Sequence, residues 1–285
     1  MRSTILIRNM TDLSLKVLRC LADGGFHSGA ALARAFHVTR GTIWNAMRRL
    51  DAAGLEIYRV RGRGYRLAHP VSLLDVASIE RSARSAARCF EIELVDIADS
   101  TNTLLMERAA SGARAGSVIV AEWQDHDGGR IRHVWHADVA GGLTFSVLWR
   151  FAQGASSLGG LSLAVGVALI RATTKLGACD VRLTWPNDMV WRGTKLAGMM
   201  IEMKGAATGP TAVVFGIDIN VGLMKPIAGQ INPAAADLEM ACRRKLDRSA
   251  VLGMVLRELA QVLGAFARDG LGSMRAEWDR HHIHH

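Results

Sequence analysis

The chain has 285 residues, 49% of them hydrophobic, with 35 Lys plus Arg against 26 Asp plus Glu. That length and apolar share suffice for two domains with cores of their own, and no uninterrupted apolar run is long enough to span a bilayer. Residues Met1 to Met10 carry no signal-peptide core or cleavage site. Cys20, Cys89, Cys179 and Cys242 form neither a disulfide framework nor a metal-ligand spacing, so the expectation is a reducing, cytoplasmic setting and no metal centre.

The placement of charge says more than its sum. Residues 1–70 hold twelve Lys plus Arg and four Asp plus Glu, leaving 23 against 22 for the remaining 215. A basic block confined to one small segment is the electrostatic footprint of a nucleic-acid binder.

In chain order, Leu13 to Ala22 has a helical apolar period that ends at Asp23-Gly24-Gly25. Ser28 is a good N-cap for a short helix over 30–36. Thr39 caps a third helix, Arg40 to Ala53, which buries Ile43, Met47 and Leu50 and shows Arg40, Asn45, Arg48 and Arg49 on its other face. Residues 55–67 alternate as a hairpin around Arg61-Gly62-Arg63-Gly64. Together these make a winged helix-turn-helix. Ser28, Thr39, Arg40, Thr42, Asn45, Arg48, Arg61 and Arg63 are its candidate DNA contacts, with Arg40, Thr42 and Asn45 nearest the base edges and the wing arginines on phosphates. Helix-turn-helix look-alikes also serve as protein-interaction modules. His69-Pro70 marks the boundary, giving a DNA-binding domain over 1–69 and a second domain over 70–285.

The second domain opens with a helix over 78–87 and a strand over 90–97, which runs into Asp99-Ser100-Thr101-Asn102 and a helix over 103–110. Those polar residues suit helix capping, and equally the binding of a small polar headgroup at a helix N-terminus. A strand over 117–123 precedes the loop Gln124-Asp125-His126-Asp127-Gly128-Gly129-Arg130-Ile131-Arg132-His133, which reads either as a solvated connection or as a flap over an anionic ligand. A strand over 143–149 and a buried helix over 158–175 follow. Leu183 to Glu202 then forms two strands joined at Arg192-Gly193. Trp185-Pro186-Asn187-Asp188 stands at one end and Lys195 opens the return strand beside Ala197 and Gly198. This is either a surface hairpin with a solvated lysine, or a place where a ligand lies close to the backbone while the ammonium meets an anion. A strand over 212–219 meets Asn220, helices span 246–266 and 273–280, and His281-His282-Ile283-His284-His285 reads as a frayed tail. The expected class is α+β, a mixed-sheet α/β domain behind the winged helix.

The order of these parts resembles the bifunctional bacterial biotin protein ligases. The resemblance rests on Phe26-His27-Ser28-Gly29 and Gly62-Arg63-Gly64-Tyr65 in the first domain. In the second it rests on Asp99-Ser100-Thr101-Asn102, Ala121-Glu122-Trp123-Gln124, Trp185-Pro186-Asn187-Asp188, Lys195-Leu196-Ala197-Gly198 and Gly216 to Asn220. It covers residues 13 to 280 and implies a class II synthetase-like ligase fold. By that resemblance the substrates are biotin and ATP with Mg2+, and the acceptor is a lysine of the biotin carboxyl carrier protein of acetyl-CoA carboxylase. It further implies operator DNA as a partner, and a homodimer when liganded. Lys195 and Arg130 are the implied catalytic residues. Ser100, Thr101, Asn102, Gln124, Gly128, Gly129, Arg130, Lys195 and Gly198 are implied to hold biotin, and Trp135, Asn187, Asp188 and Asn220 the nucleotide. Three departures stand against the family pattern: Gly128 replaces a flap arginine, Asp218 replaces a glycine, and the chain stops where the family adds a small β-barrel. They leave room for a paralogue that senses biotin without ligating it. A lipoate-type ligase shares the lysine but fits the Trp-Pro-Asn-Asp motif and the winged domain less well.

Overall fold

The computed structural model describes residues 10–124, 140–185, 187–223 and 235–283. The first domain is built from α1 (Asp12–Leu21), α2 (Gly29–Ala35) and α3 (Arg40–Ala52), followed by strands β1 (Ile57–Val60) and β2 (Gly64–Leu67). Thr11, Ser28 and Thr39 each stand in extended backbone and accept a hydrogen bond from the amide three residues on. Each satisfies one of the orphan amides that every helix start exposes. His37, between α2 and α3, adopts φ 53°, a left-handed turn that histidine enters more readily than most side chains. Leu15, Leu18 and Leu21 of α1, Leu32 of α2, Ile43, Met47 and Leu50 of α3, and Ile57 and Leu67 of the wing close into one apolar cluster.

The wing is pinned to the helices by two of the motifs. His27 donates its amide to the Tyr65 carbonyl at 2.8 Å, and Tyr65 returns its own to His27 at 2.9 Å. Gly64 (φ +106°) makes this possible, because a Cβ there would lie 2.1 Å from the His27 carbonyl oxygen.

The second domain contains α4 (Val76–Ala83), β3 (Glu91–Ala98), α5 (Thr101–Ala110), β4 (Ser117–Gln124), β5 (Gly142–Phe151), α6 (Leu161–Lys175), β6 (Val181–Thr184), β7 (Asp188–Trp191), β8 (Thr194–Gly205), β9 (Thr211–Asn220), α7 (Leu238–Cys242), α8 (Arg248–Asp269) and α9 (Arg275–His281). Its seven strands run in the order β3-β4-β5-β9-β8-β7-β6. Among the described strands only β3 and β4 pair in parallel, as the intervening helix α5 requires, and hairpin neighbours are antiparallel. One face carries the main core: Val147, Phe145, Phe215 and Ile217 of the sheet meet Val165 and Leu169 of α6 and Leu252, Val255, Leu259 and Leu263 of α8. By length and composition α8 could cross a membrane, but its apolar side chains are spent on this core. On the opposite face Leu105 and Ala109 of α5 pack on Ile119, Leu148, Ala212 and Val214.

Several sequence-based expectations need correction. The helix expected over 78–87 ends at Ala83, because Arg84 takes φ 57° and the chain continues as a 3-10 turn, Arg84–Cys89. Strand β6 and the short α7 were not foreseen; four or five residues carry too little periodicity to be read. The histidine tail is not frayed as far as Ile283. His281 ends α9, His282 stacks on Trp278 with centroids 4.1 Å apart, and Ile283 donates its amide to the Leu183 carbonyl at 3.0 Å. The tail thus pairs with β6, the edge strand; His284 and His285 lie outside the described residues.

The two domains touch through β3 and β4. Trp123 of β4 is buried within the helix-turn-helix cluster, and Ile97 of β3 packs beside it. Arg19 of α1 pairs with Asp96. Behind them the linking segment is fastened to the sheet by a buried ion pair, Arg248–Glu122, whose side chains are 3% and 1% exposed. Arg248 also donates to the carbonyls of Ser72 and Gly142, and Glu122 accepts the Leu74 amide at 3.0 Å.

Candidate active site

Strand register assembles the site. Ala121, Thr144, Asp218, Gly198 and Asp188 lie side by side across β4, β5, β9, β8 and β7, so they share the face opposite the main core. Lys195 joins them through a β-bulge. Met189 pairs with Ala197, yet the next residue, Val190, pairs with Lys195, leaving Leu196 as an extra residue in β8. Side chains alternate along a strand, so residues 195 and 198 of a regular strand would face opposite ways. The bulge restores them to one face, and bulges commonly re-aim side chains in this way beside functional sites. Leu196 is left fully buried in the core.

Lys195 then folds across Gly198. A Cβ at Gly198 would lie 3.3 Å from the lysine Cε and Nζ and from Asp188 Oδ1. The ammonium reaches Asp188 Oδ1 at 2.9 Å. Asn187 serves the hairpin itself: its carbonyl accepts the Met199 amide at 3.0 Å, and its side-chain amide donates to the Met199 carbonyl. Asp218 accepts from the Thr144 hydroxyl at 2.7 Å.

The N-terminus of α5 forms the facing wall. Ser100 is its N-cap, accepting the Thr103 amide at 3.2 Å, and Gln124 Oε1 accepts the Thr101 amide at 2.8 Å. Thr101 and Asn102 are each 3% exposed. The Ser146 hydroxyl lies 2.8 Å from Thr101 Oγ1 and 2.6 Å from Asn102 Oδ1, while the Asn102 amide donates to Glu202 at 2.9 Å. Asn102 is keyed over Gly216, where a Cβ would come within 2.4 Å of its oxygen. These contacts make Thr101 and Asn102 the frame that sets the helix start, with Ser100 and Gln124 on the rim. Asn220, buried at the far end of β9, donates to the Ala236 carbonyl at 2.9 Å, and Ala236 in turn donates its amide to Lys195 at 3.2 Å.

The motifs from the second domain therefore converge, joined pairwise by Gln124 to Thr101, Asn102 to Gly216, and Lys195 to Asp188. The result is one sheet face carrying Gly198 and Gly216, with the Lys195 ammonium over Gly198 and the start of α5 over Gly216. Both favour negative charge, and together they suit a reaction in which two anionic groups must approach each other. Gly128, Gly129, Arg130 and Trp135 lie outside the described residues; the chain enters that stretch directly after Gln124.

On the first domain, Arg40, Asn45, Arg48, Arg61 and Arg63 are all exposed. The hydroxyls of Ser28 and Thr39 are engaged in capping, and that of Thr42 is paired with Thr39 at 2.9 Å. Arg63 lies over the Phe26 ring, 4.1 Å from its centroid. Arg49, expected on the open face of α3, is half-buried and donates to Thr11 at 3.3 Å. Sequence reasoning passed over Trp44, which is 46% exposed on the same helix. A helical wheel carries the signal, since position 44 falls with 41, 45 and 48, away from the buried 43, 47 and 50.

Comparison with known proteins agrees with this fold. Residues 14–66 match an HTH domain, and residues 94–220 match the Biotin/lipoate A/B protein ligase family. The Bifunctional ligase/repressor BirA of Escherichia coli (strain K12) is 31% identical over 266 residues, covering 93% of this chain and 81% of that protein. Its counterpart in Salmonella typhimurium is 32% identical, covering 95% and 82%. Among solved structures, a biotin protein ligase mutant from Aquifex aeolicus in complex with biotin matches with a TM-score of 0.56 at 24% identity, covering 68% of this chain and 78% of that one; it supports the fold. This chain belongs to the family of bifunctional ligase/repressors, in which a helix-turn-helix domain precedes a biotin/lipoate-type protein ligase domain.

Proposed function

We propose that the protein condenses biotin with MgATP to biotinyl-5'-adenylate and transfers the biotin to a carrier lysine, and that it doubles as a biotin-responsive repressor. In the first step a biotin carboxylate oxygen attacks the α-phosphorus of ATP and pyrophosphate leaves. In the second, the amine of a lysine on the carboxyl carrier protein of acetyl-CoA carboxylase attacks the acyl carbon and AMP leaves. The observation that carries this reading is the bulge at Leu196, which turns Lys195 onto the face of Gly198 and Asp218. A strand gives up regular pairing there, and the outcome is a cation turned onto that face.

Lys195 offsets the charge that builds up between carboxylate and phosphate. Ser100, Gln124 and the α5 N-terminus present neutral polar groups to the biotin headgroup, and the floor at Gly198 leaves space for its ring. Asn187, Asp188 and Asn220 belong to the nucleotide side, with Asp188 a partner for hydrated magnesium. Arg130 and Trp135 complete the two subsites. Operator DNA is taken by α3 and the wing, and the liganded protein acts as a homodimer. A binding-only sensor is the second reading. It is favoured by the 2.9 Å pair between Lys195 and Asp188 and by the Asp218 carboxylate facing Gly198 across the strands, which blunt the positive field.

The two separate in native mass spectrometry of the full chain after incubation with biotin and MgATP. Bound mass equal to biotinyl-adenylate, lost in Lys195→Ala, is expected. Removing such an electrostatic group costs about 10²–10³-fold in rate. Bound biotin without adenylate would leave only the sensor.

A further inference from the structure

The exposed face of α3 is made of Gly41, Trp44, Asn45 and Arg48, with Arg40 at its start. Two of these residues are there for no reason the fold supplies. Trp44 leaves 46% of its surface in water, although a large indole gains most by burial. Among the described residues its ring meets the Arg48 guanidinium, 4.9 Å from the ring centroid. Gly41 lies one turn earlier on the same stripe. Its φ is not positive, and an added Cβ would meet nothing closer than Thr39 Oγ1 at 3.6 Å. Alanine would fit there, and glycine weakens an exposed helix. A bare backbone beside an exposed indole, with Arg40 and Arg48 on the same helix and the exposed Arg61 and Arg63 in the wing, fits a polyanion whose surface approaches the helix closely.

We propose that Trp44 is a base-reading residue of this protein: its indole packs on the C5 methyl of thymine in the major groove, and Gly41 admits the helix to the depth this needs. The inference rests on the DNA-binding reading of the first domain. The major groove presents that methyl at A·T pairs only, so an apolar contact there is selective, whereas the wing arginines meet phosphates of any sequence. Arg48, held against the ring, fixes the indole's orientation and keeps it from folding back.

The test begins with selection of duplexes from a random library by the full chain, with biotin and MgATP present. Each thymine of the enriched site is then replaced by uracil, which removes only the methyl. At one or two positions the wild type is expected to lose about four-fold in affinity, the worth of one buried methyl group. Trp44→Ala binds the thymine and uracil duplexes equally, and Trp44→Phe keeps the difference. Gly41→Ala, folded and at least as heat-stable as the wild type, loses affinity for the selected site. A methyl effect that persists in Trp44→Ala, or is absent at every thymine, overturns the assignment of Trp44. Unchanged affinity in Gly41→Ala overturns the close approach. Failure of the wild type to enrich any duplex overturns the DNA-binding reading itself.

Discussion

Replacing Glu122 by Gln is expected to destabilise the second domain more than any surface change in the chain. The carboxylate is 1% exposed and faces Arg248, itself 3% exposed, across a direct ion pair. Its other oxygen accepts the Leu74 amide at 3.0 Å. The glutamine preserves shape and can still accept from Leu74, but it leaves a guanidinium buried with, among the described residues, the Ser72 and Gly142 carbonyls as its acceptors. Removing one partner of a buried pair costs about 3–5 kcal/mol. The two remaining carbonyls place this case at the lower end, about 3 kcal/mol, which lowers Tm by about 6–12 °C for a domain of this size. Urea unfolding followed by tryptophan fluorescence measures it, with Arg248→Met and the double variant completing a cycle. The double variant should recover part of the loss, because it removes both charges. A loss below 1 kcal/mol for Glu122→Gln, or strict additivity in the cycle, would refute the reasoning.

Gly216→Ala drives a methyl to 2.4 Å from Asn102 Oδ1; it is expected to cost about 1–3 kcal/mol as overpacking and to weaken biotin binding by calorimetry, and retention of both would dissociate Asn102 from the site. Trp123→Ala empties a side chain shared by both domains and should cost about 3–5 kcal/mol. Trp123→Phe should cost far less, since it also removes an indole N–H that has no hydrogen-bond partner among the described residues, and equal losses in the two variants would argue against packing as the cause. The tail on β6 should loosen in acid. Burial holds the His281 imidazole below its ordinary 6.5, Arg182 adding to the effect and Glu277 opposing it. The fold therefore favours the neutral ring, so stability is fully present above the unfolded value and falls as pH drops through it. The protection of the Ile283 amide, its exchange measured against the intrinsic rate at each pH, should fall as pH drops below about 6.5, and identical behaviour in His281→Gln would remove His281 from the account.

Much of the first domain was legible because its signals are local. Caps at Ser28 and Thr39, apolar residues at helical spacing and glycines at the wing tip each act within a few residues, and together they specify three helices and a hairpin. The charge block and the order of motifs likewise stand in the sequence without help from the fold. What the motifs do to one another does not. Asn102 reads as a ligand contact or a cap, and only the pairing of β5 with β9 brings Ser146 and Gly216 beneath it and makes it part of the frame. Trp123 reads as one more core residue of a strand, and only domain docking places it in the helix-turn-helix cluster. Lys195 is the sharpest case. Its spacing from Gly198 in a regular strand would put the two on opposite faces, and the extra residue at Leu196 reverses that. Register across a sheet depends on partners distant in sequence, so the tertiary structure alone decided which face the lysine serves.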